Sequence, residues 1–236
     1  MCGGAEACPQ KTVDNQGSLI QLFTAFSAQP ITPADGLHSP LIFSLACKKK
    51  GYEPMNPKIV IRNETHDDIS AITEVTIAAF KTLEISNHTE QFIIEALRVA
   101  RALTVSLVAE MDGQVIGHIA FSPVTISDGT PNWYGLGPVS VFPEHQRKGI
   151  GKALIKEGLS RLKDMNAQGC CLVGHPDYYR NLGFKNISGL VHEGVPQEVF
   201  FALSFDGRTP LGTVAFHEGF KADGQQEGAS DALQRA

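Results

Sequence analysis

The chain has 236 residues, of which 42% are hydrophobic and 19% are charged. Those proportions are ordinary for a protein that buries a core, and the length allows one large or two small domains. The net charge of −5 argues against a general nucleic-acid-binding surface. No apolar run in the sequence is long enough to span a bilayer. We therefore expect neither nucleic acid nor a membrane among the partners.

The two ends of the sequence differ in composition from the middle. Residues 1–54 mix Gly, Ser, Pro and Gln without a sustained period, and we interpret them as a disordered extension or as translation from a start codon upstream of the true one. In the second case Met55 is the natural first residue. Residues 55–221 are expected to form one domain, and residues 222–236, rich in Gly, Gln and Ala, a loose tail.

Strands and helices alternate along the predicted domain. A capping-box pattern at Thr65 to Asp68 precedes the first helix, and the turn Asp112-Gly113 predicts a β-hairpin. Apolar residues at helical spacing predict helices over 69–80, 93–100 and 150–165. The predicted strands cover residues 58–62, 107–111, 115–122, 133–142, 170–173, 184–187 and 199–205.

The segment between the strand at 133–142 and the helix at 150–165 is the most informative part of the sequence. Its two glycines, Gly149 and Gly151, lie among the cationic residues Arg147, Lys148 and Lys152. Successive backbone N–H groups in such a turn point at one spot beside the positive end of the helix dipole. This arrangement predicts a binding site for a phosphate or pyrophosphate.

Two familiar phosphate loops do not fit this segment. A P-loop requires Ser or Thr where Ala153 stands, and a glycine where Gln146 stands. The dinucleotide fingerprint requires a third glycine that is absent. The turn reads Q-x-x-G-x-G after a strand, which resembles the acetyl-CoA pyrophosphate loop of the GCN5-related N-acetyltransferase (GNAT) superfamily. The alternative is an ordinary strand–loop–helix connection with solvated charges.

A second motif lies where that family would place it. The run from Tyr179 to Gly183-Phe184 resembles the family's Y-x-x-x-G-F signature, and the resemblance puts the general acid at Tyr179. Tyr178 is one residue out of register. The resemblance covers residues 58–205, and the run 117–123 is similar to YhbS-type bacterial acetyltransferases, a subgroup mostly unassigned in substrate.

The resemblance implies an α/β fold: a GNAT-type central mixed sheet, with splayed parallel strands and helices on both faces. It implies an N-acetyltransferase that moves the acetyl group of acetyl-CoA, its co-substrate, to a primary amine in a ternary complex. Gly135, Gly137 and Pro138 interrupt the first splayed strand, which indicates a close backbone approach or a plain edge bulge. The residues implied to bind the cofactor are Val139, Ser140, Val141, Gln146, Arg147, Lys148, Gly149, Ile150, Gly151 and Lys152.

The general base is not evident in the sequence. Many members of the family carry a glutamate on the strand before the loop, but residues 133–142 contain no carboxylate. The candidates are Glu84, His88, His118 or a water chain. Two other functions stay open: an acyl-CoA-binding module without turnover, and a structural or partner-binding domain with a vacant cleft.

The cysteines suggest a reducing compartment. Their number is odd, and adjacent residues Cys170 and Cys171 on a strand would point to opposite faces and seldom pair. This pattern favours the cytoplasm. Their spacing to His175 fits no common zinc site, so no metal is expected. The sequence leaves the oligomeric state open, a dimer included.

Overall fold

The structure is a computed structural model that describes residues 58–83 and 86–224. We number its strands and α-helices in chain order. The strands are β1 (Ile59–Asn63), β2 (Val105–Met111), β3 (Gln114–Ile126), β4 (Trp133–Val141), β5 (Gly169–Val173), β6 (Leu190–His192), β7 (Phe200–Ser204) and β8 (Gly212–Phe216). The helices are α1 (Ile69–Phe80), α2 (Glu90–Val99), α3 (Ile150–Asp164) and α4 (Pro176–Tyr179).

Some predictions fall outside the described residues. They are those for residues 1–54, for the tail beyond residue 224, and for Glu84. Within the described ranges, no helix is long and apolar enough to cross a bilayer.

One mixed sheet organises the domain. Its main path runs β1-β2-β3-β4-β5-β7, while β8 pairs with both β3 and β6. The pairs β4–β5 and β6–β8 are parallel, and the other neighbours are antiparallel. The predicted fold class, a mixed sheet with helices, is confirmed.

Helices cover both faces of this sheet. On one face, Leu154 and Leu162 of α3 share a buried cluster with Leu107 of β2 and with other strand residues. On the other face, Ile93 of α2 shares a second cluster with Trp133 of β4. Burial of these apolar stripes is the main force that holds the helices on the sheet.

A glycine lets α3 approach the sheet closely. A Cβ added at Gly158 would lie 2.1 Å from Cε2 of Phe121 in β3, and that ring is fully buried. Any larger residue at this position would push the helix or the ring away.

The local signals for turns and caps are confirmed. Asp112 and Gly113 have φ values of 52° and 81°, as a tight hairpin turn of mirror-image type requires. The Asp68 carboxylate accepts a hydrogen bond of 2.7 Å from the backbone N–H of Thr65. The turn between β2 and β3 and the entry into the first helix were therefore predictable from the sequence.

The predicted order of elements is wrong near the end of the domain. The predicted strand over 184–187 is absent, and only Lys185 forms an isolated bridge, with Ala202. The strands β6 and β8 were not predicted, although they pair with each other in parallel. β6 has only three residues, and β8 buries only Val214 of its five, so neither shows a clear apolar alternation. Each depends on its partner for pairing.

Candidate active site

The two parallel central strands part in the middle of the sheet. β4 pairs with β5 only from Trp133 to Gly135, opposite Gly169 to Cys171. From Leu136 onward, β4 has no neighbour on that edge among the described strands, while β5 continues beside β7 alone. The result is a gap in the ladder, with a backbone edge along the second half of β4 that no described strand pairs with.

The hydrogen bond just after β4 shows which side of the strand each backbone N–H and C=O group faces. The N–H of Phe142 donates to the carbonyl of Ile116 beside β3, at 3.0 Å. Because backbone groups in a strand alternate in direction, those of Val141 and Val139 face the gap. The Gln146 side chain confirms this for Val141, since its Nε2 donates to the Val141 carbonyl at 3.0 Å.

The neighbouring residues of β4 have other roles. Ser140 pairs with His118 of β3, and its Oγ lies 3.1 Å from Oγ1 of Thr76 in α1. The β3–β4 register shifts opposite Gly137 and Pro138. The predicted interruption of this strand is therefore present as a bulge.

The loop after β4 presents a row of unbonded amides. Arg147 and Gly149 have φ values of 59° and 86°, and the first helical bond of α3 runs from Ala153 to the carbonyl of Gly149. In the described part of the chain, no acceptor meets the N–H groups of residues 147–152. The side chains of Arg147, Lys148 and Lys152 are exposed around them.

This loop has the chemistry of an anion site. The orphan N–H groups of a helix N-terminus and the helix dipole both favour a negative ligand. A Cβ at Gly149 would meet nothing within 4 Å, so the space in front of the loop is open. The loop therefore offers backbone N–H groups beside open space, and its binding of phosphate stays a prediction.

Tyr179 lies on the α3 side of the gap. It ends the short helix α4 after β5, and it is fully buried. It belongs to the same buried cluster as Leu136 and Val139 of β4. Its ring makes an edge contact with Phe184, at 5.8 Å between centroids. The tyrosine and the unpaired edge of β4 thus belong to one packed region.

Tyr178 is the neighbouring phenol. Its ring lies 5.1 Å from that of Tyr179, at 87° between the planes. Burial raises the pKa of Tyr178 to about 12, so this hydroxyl stays protonated at neutral pH.

The candidate base His118 is held in a polar network at the β1–β2 side of the sheet. It is fully buried, and its Nε2 lies 2.8 Å from Oγ of Ser106 in β2 and 3.5 Å from Oε2 of Glu64. Burial lowers the pKa of His118, so it is neutral at pH 7. Because β2 flanks β3 opposite β4, this nitrogen faces away from the gap.

Glu64 is the charged member of this network. Arg98 binds its carboxylate with two hydrogen bonds, at 3.0 and 2.9 Å. Burial opposes the ionisation of Glu64, but hydrogen bonds with His118, Arg98 and Ser106 outweigh it and lower the pKa to about 2. The network therefore ties β1, β2, β3 and α2 together.

The sequence reasoning missed one buried carboxylate. Glu90 begins α2 and is 1% exposed. It lies three and seven residues before Ile93 and Leu97, on the apolar face of the helix. That spacing was a readable signal, because a carboxylate on such a face is unusual.

The adjacent cysteines lie on opposite faces, as predicted. Cys170 and Cys171 belong to different buried clusters, and burial raises the pKa of both thiols. Within residues 58–83 and 86–224, no group of three or more metal-ligating side chains occurs.

A mixed sheet with these two features, parted parallel strands and a loop of unbonded amides beside them, is typical of an acyltransferase fold. The chain matches the model of the acetyltransferase (GNAT) family over residues 70–184, and it belongs to that family. The predicted enzyme class, an N-acetyltransferase, is confirmed at this level.

Individual relatives agree with the family assignment. The chain is 31% identical over 128 residues to the uncharacterised N-acetyltransferase YhbS of Escherichia coli K12, covering 54% of this chain and 74% of that protein. A crystal structure of a GNAT acetyltransferase from Brucella melitensis in complex with acetyl-CoA is 48% identical, with a TM-score of 0.62, covering 69% of this chain and 98% of that one. Escherichia coli YhbS in complex with CoA is 28% identical, with a TM-score of 0.66, over 74% and 98%.

Proposed function

We propose that this protein transfers the acetyl group of acetyl-CoA to a primary amine, carried by a small molecule or a protein, by direct attack in a ternary complex. The observation that carries the proposal is the unpaired edge of β4, which leads into the loop of unbonded amides at residues 147–152. An extended ligand with amides in its middle and a pyrophosphate at its end matches both features. The solved relatives from Brucella melitensis and Escherichia coli contain acetyl-CoA and CoA respectively.

The cofactor contacts follow from this arrangement. The pyrophosphate accepts hydrogen bonds from the amides of residues 147–152, and the pantetheine arm pairs with the backbone of Val139 and Val141. Gln146 positions the loop through its bond to Val141. Ile150 contributes its backbone N–H to the pyrophosphate site. The Ser140 hydroxyl holds β4 against α1 through its contact with Thr76.

The chemistry needs two proton transfers and one oxyanion site. The neutral amine attacks the thioester carbonyl, and the tetrahedral oxyanion accepts a hydrogen bond from a backbone N–H near Val139. The carbon–sulfur bond then breaks, and the phenol of Tyr179 protonates the CoA thiolate. No covalent bond to the enzyme forms, so the buried thiols Cys170 and Cys171 take no part.

One observation favours a second candidate, a non-catalytic acyl-CoA-binding module. β4 carries no carboxylate, although many members of the family have a glutamate there. Such a module would use the same loop and the same gap but would release no thiol.

A titration followed by an amine panel tests the proposal. Acetyl-CoA should bind in isothermal calorimetry. Binding is expected of both the acetyltransferase and the non-catalytic acyl-CoA-binding module, but not of a structural domain with a vacant cleft. Thiol release should then appear with at least one amine of a panel that covers alkylamines, arylamines and lysine peptides. Binding without thiol release from any of them would favour the module. The free thiols of Cys170 and Cys171 fit the cytoplasm as the proposed location.

A further inference from the structure

The acceptor amine must lose a proton when it attacks, and β4 offers no carboxylate for this step. We propose that Glu90 is the general base: its Oε2 takes the proton that the amine loses as its nitrogen bonds to the acetyl carbon. This inference rests on the proposed acetyl transfer and adds the residue that deprotonates the acceptor.

Glu90 is placed where a carboxylate costs stability. It is 1% exposed and lies on the buried face of α2, with Ile93 and Leu97. No ion pair forms with it in the described part of the chain. A buried carboxylate without a partner cation is rarely kept for packing alone.

The two oxygens of this carboxylate differ in their hydrogen bonding: Oε1 accepts a hydrogen bond, and Oε2 has no partner among the described residues. The Ser86 hydroxyl donates to Oε1 of Glu90 at 2.6 Å, and it accepts from the backbone N–H of His88 at 2.9 Å. The carboxylate is thereby fixed in orientation. Oε2 is buried, and no hydrogen-bond partner for it lies among residues 58–83 and 86–224.

The path of α1 leads toward the gap. Near its start, Ile72 packs with Val108 of β2 in one cluster. One turn later, Thr76 contacts Ser140 of β4. The helix therefore crosses the sheet from β2 to β4, and Phe80 lies one further turn along the same helix.

The start of α2 lies on the other side of the same gap. Ile93 shares a buried cluster with Trp133 of β4 and Val173 at the end of β5, the two strands that part. Glu90 is one turn before Ile93 on the same buried face of α2, so the proposal brings the acceptor amine to this face of the sheet. Tyr179 belongs to the cluster on the opposite face, so the thiolate receives its proton from the other face.

The surroundings of Glu90 adjust its basicity. Burial raises the pKa of Glu90, while the hydrogen bond from Ser86 and the charge of His88 oppose that rise. A raised pKa makes an ionised carboxylate a better proton acceptor near neutral pH. Three elements pack against α2, and they carry five other titratable groups. These groups are Glu74 in α1, Lys81 just after α1, Tyr134 in β4, and Glu218 and Lys221 in the turn at residues 218–221.

The proton balance of the step is complete. The amine nitrogen forms a bond to carbon and loses one proton to Oε2 of Glu90. The thiolate leaves with a proton from Tyr179, and the products are the acetamide and CoA. Glu90 and Tyr179 return to their starting states by exchange with solvent.

Replacing Glu90 by glutamine tests the proposal. With an alkylamine acceptor, Glu90→Gln should lower kcat/KM by about 10²–10⁴-fold, while the Kd of acetyl-CoA stays the same. In a fluorinated analogue of that amine, the nitrogen becomes more acidic as it bonds to the acetyl carbon and gives its proton to water more readily, so the loss caused by Glu90→Gln should be smaller. Glu95→Gln, at an exposed position of α2, is the matched control and should behave like wild type.

A second variant tests the same residue through its pH profile. Ser86→Ala removes a hydrogen bond that stabilises the ionised form, so the pKa of Glu90 should rise. The ascending limb of kcat/KM should therefore shift to higher pH. If Glu90→Gln fails to bind acetyl-CoA, the pH profile of Ser86→Ala still tests whether Glu90 is the general base.

The outcomes separate the two proposals. If wild type turns over an amine and Glu90→Gln does so equally well, Glu90 is not the base and the acetyl transfer stands. An equal loss with the alkylamine and its fluorinated analogue, or an unmoved pH limb in Ser86→Ala, also overturns the role of Glu90. If the wild-type protein acetylates no amine, both the proposed function and the role of Glu90 are wrong.

Discussion

The close approach of α3 to β3 gives a sharp prediction about stability. A Cβ at Gly158 would lie 2.1 and 2.5 Å from two carbons of the buried Phe121 ring, where ordinary contacts exceed about 3.4 Å. Relieving this overlap needs a shift of more than about 1 Å, and overpacking of a core costs about 1–3 kcal/mol. Alanine returns up to about 1 kcal/mol through its helix propensity. Because an overlap of this size falls in the upper part of that range, at about 2–3 kcal/mol, Gly158→Ala should lower the free energy of unfolding by a net of about 1–2 kcal/mol.

Urea denaturation followed by circular dichroism measures this change. In a domain of this size, each kcal/mol corresponds to about 2–4 °C in Tm. Ser160→Ala is the control, because it is exposed on the same helix and should gain a few tenths of a kcal/mol. A Gly158→Ala protein as stable as wild type, or more stable, would show that α3 does not sit this close to β3.

Three further predictions concern the cofactor loop, the acid and the buried network. Replacing Gly151 with leucine should block a phosphate contact and weaken acetyl-CoA binding by more than about tenfold in calorimetry, with the circular dichroism spectrum retained; unchanged affinity would refute the loop assignment. Tyr179→Phe should lower kcat by about 10²–10⁴-fold with little change in acetyl-CoA affinity, whereas Tyr178→Phe should be nearly silent; equal kcat for wild type and Tyr179→Phe would remove the acid role. The pKa of Glu64 falls from 4.5 to about 2, so its stabilising effect is present above pH ~4.5 and is lost as the pH falls toward 2. Glu64→Gln should therefore cost up to about 3 kcal/mol at pH 7 and flatten the acid limb of the unfolding curve; identical acid limbs would contradict this.

The features that depend on local chain chemistry were predictable from the sequence. The hairpin at Asp112-Gly113 requires residues that accept positive φ, and the sequence supplies them. The helix after Gly149 follows from apolar spacing and from the glycine that caps it. The bulge in β4 follows from the glycines and the proline within that strand.

The features that depend on distant partners were not predictable in this way. The strand β8 pairs with β3 and β6, and β6 pairs with β8 alone. Neither strand has an apolar alternation by which its sequence could be recognised by itself. Ser140 reads as one more residue of an apolar strand, and only the fold reveals its contact with Thr76. The burial of Glu90 likewise depends on how α2 meets the sheet.

Acetyl transfer to an amine is the central claim, and product analysis tests it most directly. Initial rates should be measured with labelled acetyl-CoA while both substrates are varied, and the acetylated amine should be quantified by mass spectrometry. Direct attack in a ternary complex predicts one acetamide per thiol released, intersecting double-reciprocal lines, and no acetyl label on the protein. Label on the protein with parallel lines would contradict direct attack, and binding of acetyl-CoA without acetamide from any amine would contradict the transfer itself.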